Sequence, residues 1–158
     1  MTFVSNVLVL LGCKDLRIVQ DLDGERAGYG SFWGEINSNV HRRFGCVGTL
    51  TDGSIRDIDA IPPGFQILAR MAVPSDGYVR VVDFGCIVRV AGLEVRSGDL
   101  IHADRHGAVV VPAEVAGIAA AVAEKVVKAE RVVIDLCNSP GFSLETLRVA
   151  WAQMGDLG

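Results

Sequence analysis

The stretch RIVQDLDGERAGYGSFWGEINSNVHRRFGCVGTLTDG, Arg17 to Gly53, decides how this chain folds. Arg17–Leu22 reads as a strand closed by the turn pair Asp23-Gly24. A glycine-rich passage with Gly24, Gly28, Gly30 and Gly34 leads into a helix expected from Glu35 to Phe44. On that helix Ile36, Val40 and Phe44 recur every four residues and make one apolar face. Gly45 ends it, Cys46–Leu50 reads as a short apolar strand, and Thr51-Asp52-Gly53 as a turn. Strand, helix and strand joined by short links form a β-α-β unit, so the two strands are expected to be parallel.

Beyond this unit the chain changes character. Phe65–Met71, Tyr78–Val82, Cys86–Ala91 and Leu93–Val95 are short extended stretches separated by Gly and Pro turns. Leu100–Ala103 and Ala108–Val111 flank Asp104–Gly107 as a hairpin. Pro112 precedes a long helix expected from Ala113 to Glu130, with Val115, Ile118, Ala119, Val122 and Val126 on one face. Val132–Leu136 fits helix and strand equally. Ser143, near Glu145 and Thr146, is expected to cap a final helix ending at Met154. Before Arg17, Val7–Leu11 fits a strand or a short buried helix. The pattern is α/β with a β-rich middle.

A chain of 158 residues has room for one domain with a sizeable core, here residues 1–158. Half of it is apolar, which argues against disorder. A formal net charge of -4 gives no global attraction for phosphate backbones, and 6% aromatic residues make a poor base-stacking platform, so nucleic-acid binding is disfavoured. The apolar run at Val7–Leu11 is too short to span a bilayer and has no basic leader, so a cytoplasmic protein without a membrane partner is expected. Cys13, Cys46, Cys86 and Cys137 form no C-x-x-C pair, and buried free thiols are expected, above all at Cys46 and Cys86.

The densest polar cluster is Asp52-Gly53-Ser54-Ile55-Arg56-Asp57-Ile58-Asp59, just past a buried strand. Ligand sites in open α/β sheets favour that edge. Arg56 offers a planar fork for a carboxylate, and Asp57 a hard oxygen for Mg²⁺ or Mn²⁺. A fold-supporting Arg–Asp ion pair explains the same residues. Gly34-Glu35-Ile36-Asn37 opens the first helix, where free N–H groups can hold an anion; a loop simply closing onto a helix is the competing reading. Gly24, Gly28 and Gly30 lack the dinucleotide spacing. His102, Asp104 and His106 are read as structural or surface residues rather than a metal site, and His41 as part of a solvated face.

Taken in order, Gly34–Asn37, Gly53–Asp59, Ser97–Asp104 and Gly107–Pro112 resemble the RraA-like family, which includes 4-hydroxy-4-methyl-2-oxoglutarate / 4-carboxy-4-hydroxy-2-oxoadipate aldolases. The best-matched region is 15–141. The resemblance implies a swivelling β/β/α domain, here shortened at the N-terminus, since only residues 1–14 stand where the family has a longer leading stretch. It implies a lyase that forms pyruvate with Mg²⁺ or Mn²⁺, with oxaloacetate decarboxylation as a side activity. Substrate would be held by Gly34, Glu35, Ile36, Asn37 and Arg56, and metal by Asp57; Asp52 is expected to orient a water. Glu35 stands where many members have Asp, a change that backbone N–H binding should survive. The family also implies a homo-oligomer, trimer or hexamer. Some members bind a ribonuclease, so a non-catalytic regulator with a protein partner, or an inactive truncated member, is the alternative.

Overall fold

The computed structural model describes residues 2–8 and 15–155. Its main sheet contains β1 (Thr2–Leu8), β2 (Leu16–Asp21), β3 (Gly48–Thr51), β5 (Gln66–Leu68) and β7 (Arg80–Phe84), in the order β5-β3-β2-β1-β7. Strands β2 and β3 run parallel, with Leu16 opposite Gly48 and Val19 opposite Thr51, as the β-α-β reading requires. Strand β5 continues the parallel set, and β1 pairs antiparallel to β2 and parallel to β7. Val7 and Leu8 lie in β1, whereas the rest of the Val7–Leu11 run falls outside the described residues, as does Cys13.

Three small pairs complete this part of the chain. Strand β4 (Ser54–Ile55) runs parallel to β6 (Met71–Ala72); β8 (Val88–Val90) pairs with β9 (Leu93–Val95), and β10 (Leu100–Asp104) with β11 (Gly107–Val111), both antiparallel. The single strand expected over Phe65–Met71 is therefore two. Its first half extends the main sheet, and the Arg70 N–H then donates to the Gly53 carbonyl at 3.0 Å, starting the separate ladder with β4.

The core has two centres. Ile18, Leu50, Val88, Val90 and Val95 form one, and Val19, Trp33, Cys46 and Phe65 the other. Neighbouring residues Ile18 and Val19 of β2 face opposite ways, so one strand serves both sides of the sheet. Helix α1 (Glu35–Arg43) matches its expected range, but its apolar stripe faces outward: Ile36, Val40 and Phe44 are exposed. The inner face carries Ser38, whose hydroxyl donates to helix carbonyls, and His41, which packs on Trp33. Cys46 is buried, Cys86 partly buried and Cys137 exposed, and none of the three is in a disulfide.

Residues from Ala113 onward form a second compact unit. Helix α2 (Ala113–Cys137) runs past Glu130 and absorbs Val132–Leu136, because nothing breaks helical geometry before Asn138-Ser139-Pro140. Ser143 caps α3 (Leu144–Gly155): its Oγ accepts from the Thr146 N–H at 3.1 Å, while Thr146 Oγ1 accepts from the Ser143 N–H at 2.9 Å. Thr146 thus takes the reciprocal place that Glu usually fills. Ala129, Val133 and Ala150 are buried in this unit. Among the described residues no helix is long and apolar enough to cross a membrane.

Gly48 tests the sheet. A Cβ there would stand 2.1 Å from the Gln66 carbonyl oxygen, within the β3–β5 ladder. Gly48→Ala should therefore lower stability by about 1–3 kcal/mol, the cost of overpacking a rigid neighbour. Urea unfolding followed by circular dichroism measures it; an unchanged midpoint would contradict this register.

Candidate functional site

Strand β3 ends at Thr51, whose hydroxyl accepts from the Gly53 N–H at 3.0 Å and turns the chain into β4. The Arg56 N–H then donates to the Trp33 carbonyl at 2.9 Å, and Trp33 bridges to Ile55. This brings residues 56 and 57 against the start of α1. A Cβ on Gly34 would lie 2.6 Å from Asp57 Oδ2 and 2.9 Å from Arg56 Cγ, so a side chain there would force both residues to shift. Gly34 itself is extended, with φ −165°; space, not backbone angle, selects it.

Asp57 has φ 55° and ψ 42°, a left-handed conformation at the start of a short 3-10 turn, Ile58–Ala60. Left-handed backbone costs a non-glycine residue about 1–2 kcal/mol, least for Asn and Asp. Here it points the carboxylate back to α1. Oδ2 accepts from the Glu35 N–H at 3.2 Å and lies 3.5 Å from Arg56 Nε. Both contacts fall on Oδ2, which leaves Oδ1 as an oxygen donor on a side chain 44% exposed. Ile55 to Asp59 and Ala72 to Pro74 line an open concavity of about 360 Å³ here.

Arg56 is more heavily engaged than its residue type suggests. Its side chain is only 20% exposed, and Nη1 donates to the Ser31 carbonyl at 2.6 Å and to Asp76 Oδ1 at 3.0 Å. Ser31 is fully buried, and its hydroxyl donates to the carbonyls of Trp33 and Ser54. Arg56 therefore staples residues 31–33 to the loop at Asp76 while supporting Asp57. The structure thus brings together Gly34, Glu35, Arg56 and Asp57. Ile36 and Asn37 follow in the first turn of α1, where N–H groups lack intrahelical partners. The Asn37 amide instead donates to the Phe32 carbonyl, fixing the loop before the helix.

Asp52 is placed elsewhere. Its Oδ1 accepts from the Asp21 N–H at 2.7 Å, and it lines a different cleft of about 760 Å³ with Arg70, Arg89 and the apolar Leu50, Leu68 and Leu93. Burial raises its pKa, against the pull of the Asp21 N–H and of Arg70. The acidic run Asp52–Asp59 is thus split between two concavities, with Asp57 and Asp59 in one and Asp52 in the other. Asp21, buried, accepts from the N–H groups of Asp23 and Gly28, so the glycine-rich passage wraps around a carboxylate.

Sequence reasoning missed Ser31, His41 and Asp76. His41 is no solvated face: its ring lies 4.8 Å from that of Trp33, and Nδ1 is 2.8 Å from the Asn37 carbonyl. Burial holds its pKa below the usual value, the bond to Asn37 works the other way, and Arg17 adds to the lowering. The aromatic spacing Phe32, Trp33, His41 was the available signal. His106 Nδ1 pairs with Asp104 at 3.1 Å, and among the described residues no group of three or more His, Cys, Asp and Glu is arranged to hold a metal.

A family model described as RraA-like, aldolase/RraA, matches residues 5–110. The Legionella pneumophila protein DlpA is 26% identical over 83 residues, which cover 51% of this chain and 14% of that protein, so the chain spans a small part of this relative. An uncharacterised protein from Pseudomonas syringae pv. tomato superposes with a TM-score of 0.68 at 23% identity, over 94% of this chain and 74% of its own. Streptomyces coelicolor RraAS2, described as an unusual member of the RNase ES inhibitor RraA family, gives 0.59 at 22% identity, over 82% and 74%. At such identities the structural likeness establishes the fold.

Asp52 gives a pH signature. A folded-state pKa above the unfolded value means that the native state binds more protons, so this group costs stability once pH rises through the folded pKa. Asp52→Asn keeps an acceptor for the Asp21 N–H and removes that cost. The variant should resist urea better than wild type at pH 7, and the advantage should vanish as pH falls to the ordinary aspartate range. An advantage independent of pH would show that desolvated charge is not its cause.

Proposed function

This chain belongs to the RraA-like family, and from that membership we propose that it is a divalent-metal-dependent lyase, cleaving a 4-hydroxy-2-oxo di- or tricarboxylic acid to pyruvate in the cytoplasm. The observation that carries the reading is the left-handed Asp57 beside Arg56, folded so closely against Gly34 that a side chain there would displace both. Strained backbone of this kind persists where the surroundings over-determine it, often at functional sites.

The residues fit a hard cation held largely by water: among the described residues Asp57 Oδ1 is a carboxylate oxygen without a partner, on a half-exposed side chain. Mg²⁺ or Mn²⁺ bound there would supply Lewis-acid stabilisation of negative charge developing on the substrate's oxo oxygen. Among the described residues Arg56 Nη2 and the first-turn N–H groups of Ile36 and Asn37 would serve as donors to a substrate carboxylate. Loss of the 4-hydroxyl proton to an ordered water would turn C4 into the carbonyl of the departing fragment and pass the C3–C4 bonding pair to a pyruvate enolate, whose protonation at C3 completes pyruvate. Asp52, in its own cleft, is not part of this arrangement.

Exposed apolar residues on α1 and α2, among them Ile36, Phe44, Ile118 and Val122, suit burial between subunits, and a homo-oligomer, trimer or hexamer, is part of the proposal. A monomer by light scattering at micromolar concentration would remove that part. The structurally similar Streptomyces coelicolor RraAS2 is described as a member of an RNase ES inhibitor family. The clamping of Arg56 by Ser31 and Asp76 favours a second reading, in which the site is structural and the protein acts by binding a ribonuclease.

Pyruvate release from 4-hydroxy-4-methyl-2-oxoglutarate and from oxaloacetate, coupled to NADH oxidation, separates the readings. Release should require Mg²⁺ or Mn²⁺ and fall about 100-fold or more in Arg56→Ala, the scale for removing one charge-stabilising donor. By calorimetry Mn²⁺ should bind wild type and bind Asp57→Asn far more weakly. Folded full chain that releases no pyruvate from either substrate with metal present would defeat the lyase reading.

A further inference from the structure

We infer that the Asp76 carboxylate is a built-in competitor for the Arg56 guanidinium, so that the site admits an anion only when the same ligand brings a second anchor. The inference rests on the reading of Arg56 and Asp57 as an anion and metal site, and it concerns which ligands that site selects.

A carboxylate grips guanidinium best through two parallel N–H bonds. Both such faces of Arg56 are half taken. Nη1 already serves Ser31 and Asp76, and Nε faces Asp57; among the described residues Nη2 has no partner. An incoming carboxylate gains a second donor by displacing Asp76 from Nη1. The two members of the pair differ sharply in exposure, 20% for Arg56 and 75% for Asp76, so Asp76 returns to water easily while Arg56 stays in place.

Only a side-chain swing is needed. The Asp76 backbone bridges to Ser31, the Ser31 N–H donates to the Ser75 carbonyl at 3.1 Å, and the Ser75 hydroxyl donates to the Tyr29 carbonyl. The swing gives up one charge-assisted bond and the contact of Asp76 Oδ1 with the Gly77 N–H. For a lone carboxylate the second bond only replaces the one that Asp76 gives up, so its gain is limited to the single bond to Nη2. A dicarboxylate or 2-oxo acid, which also engages the first-turn N–H groups of α1 or a cation on Asp57, retains a net gain. Asp76 thus sets a preference for such ligands over simple monocarboxylates.

Oxalate and acetate are the probes, titrated by calorimetry into the full chain with and without Mn²⁺. Wild type should bind oxalate and show no measurable acetate binding. Asp76→Ala and Asp76→Asn, with unchanged circular dichroism, should bind oxalate roughly three- to tenfold tighter, the range for releasing a part-exposed charged bond, and should begin to bind acetate. Asp59→Asn, which removes a charge from the same concavity without touching Arg56, should change oxalate binding less. Unchanged or weaker oxalate binding in both Asp76 variants, an equal gain in Asp59→Asn, or no oxalate binding in any protein overturns the inference. Tighter oxalate binding without pyruvate formation from any substrate would leave it standing and remove the lyase reading alone.

Discussion

A Cβ on residue 34 would stand 2.6 Å from Asp57 Oδ2. That close approach joins the start of α1 to the loop after β4, and the rest of the site depends on it. It lets the Glu35 N–H reach the Asp57 carboxylate, and it sets Arg56 beside a backbone it can staple. The constraint works in both directions. Glycine at 34 permits the approach, and the left-handed turn at Asp57 makes use of it. A side chain at 34 would force the carboxylate away, with Arg56 following.

Arg56 has two demands placed on it. As a staple it satisfies the buried Ser31 carbonyl and so maintains the strand-like contact between residues 31–33 and the β4 region. Under the proposed function it must also keep part of its fork open for an anion. The structure reconciles these by dividing the nitrogens: Nε and Nη1 hold the protein, and Nη2 is left. Deleting this side chain takes the Nη1 donor from the buried Ser31 carbonyl, and a buried acceptor left unmet typically costs about 1–3 kcal/mol.

The parallel strands β2, β3 and β5 end at one concavity, and the ends of β4 and β6 line a second with different chemistry. The second is small and open, with Arg56, Asp57 and Asp59; the first is larger and mostly apolar, with Asp52, Arg70 and Arg89. The turn at Thr51-Asp52-Gly53 separates them. Asp52 is drawn toward β2 by the Asp21 N–H, whereas the chain beyond Gly53 is drawn toward Trp33. Outward-facing Ile36, Val40 and Phe44 add an apolar stripe on α1 that the described residues leave uncovered.

The sequence by itself determined the β-α-β unit, the parallel pairing of β2 with β3, the hairpin at Asp104–Gly107 and the family. These follow from local pattern: strand runs, a helix start at Glu35, turn residues, and motifs in fixed order. The same reading picked out Gly34, Arg56 and Asp57, which the fold brings together, because each lies at the end of a recognisable element. Tertiary structure alone decided which way side chains face and what they meet. A four-residue repeat marks an apolar face on α1 without saying whether that face turns inward, and here the inner place went to Ser38 and His41. Neither the separation of Asp52 from Asp57 nor the pairing of Arg56 with Asp76 is written in spacing. Both depend on contacts between segments 20 or more positions apart, where a hydrogen bond to one particular N–H or carbonyl sets the outcome.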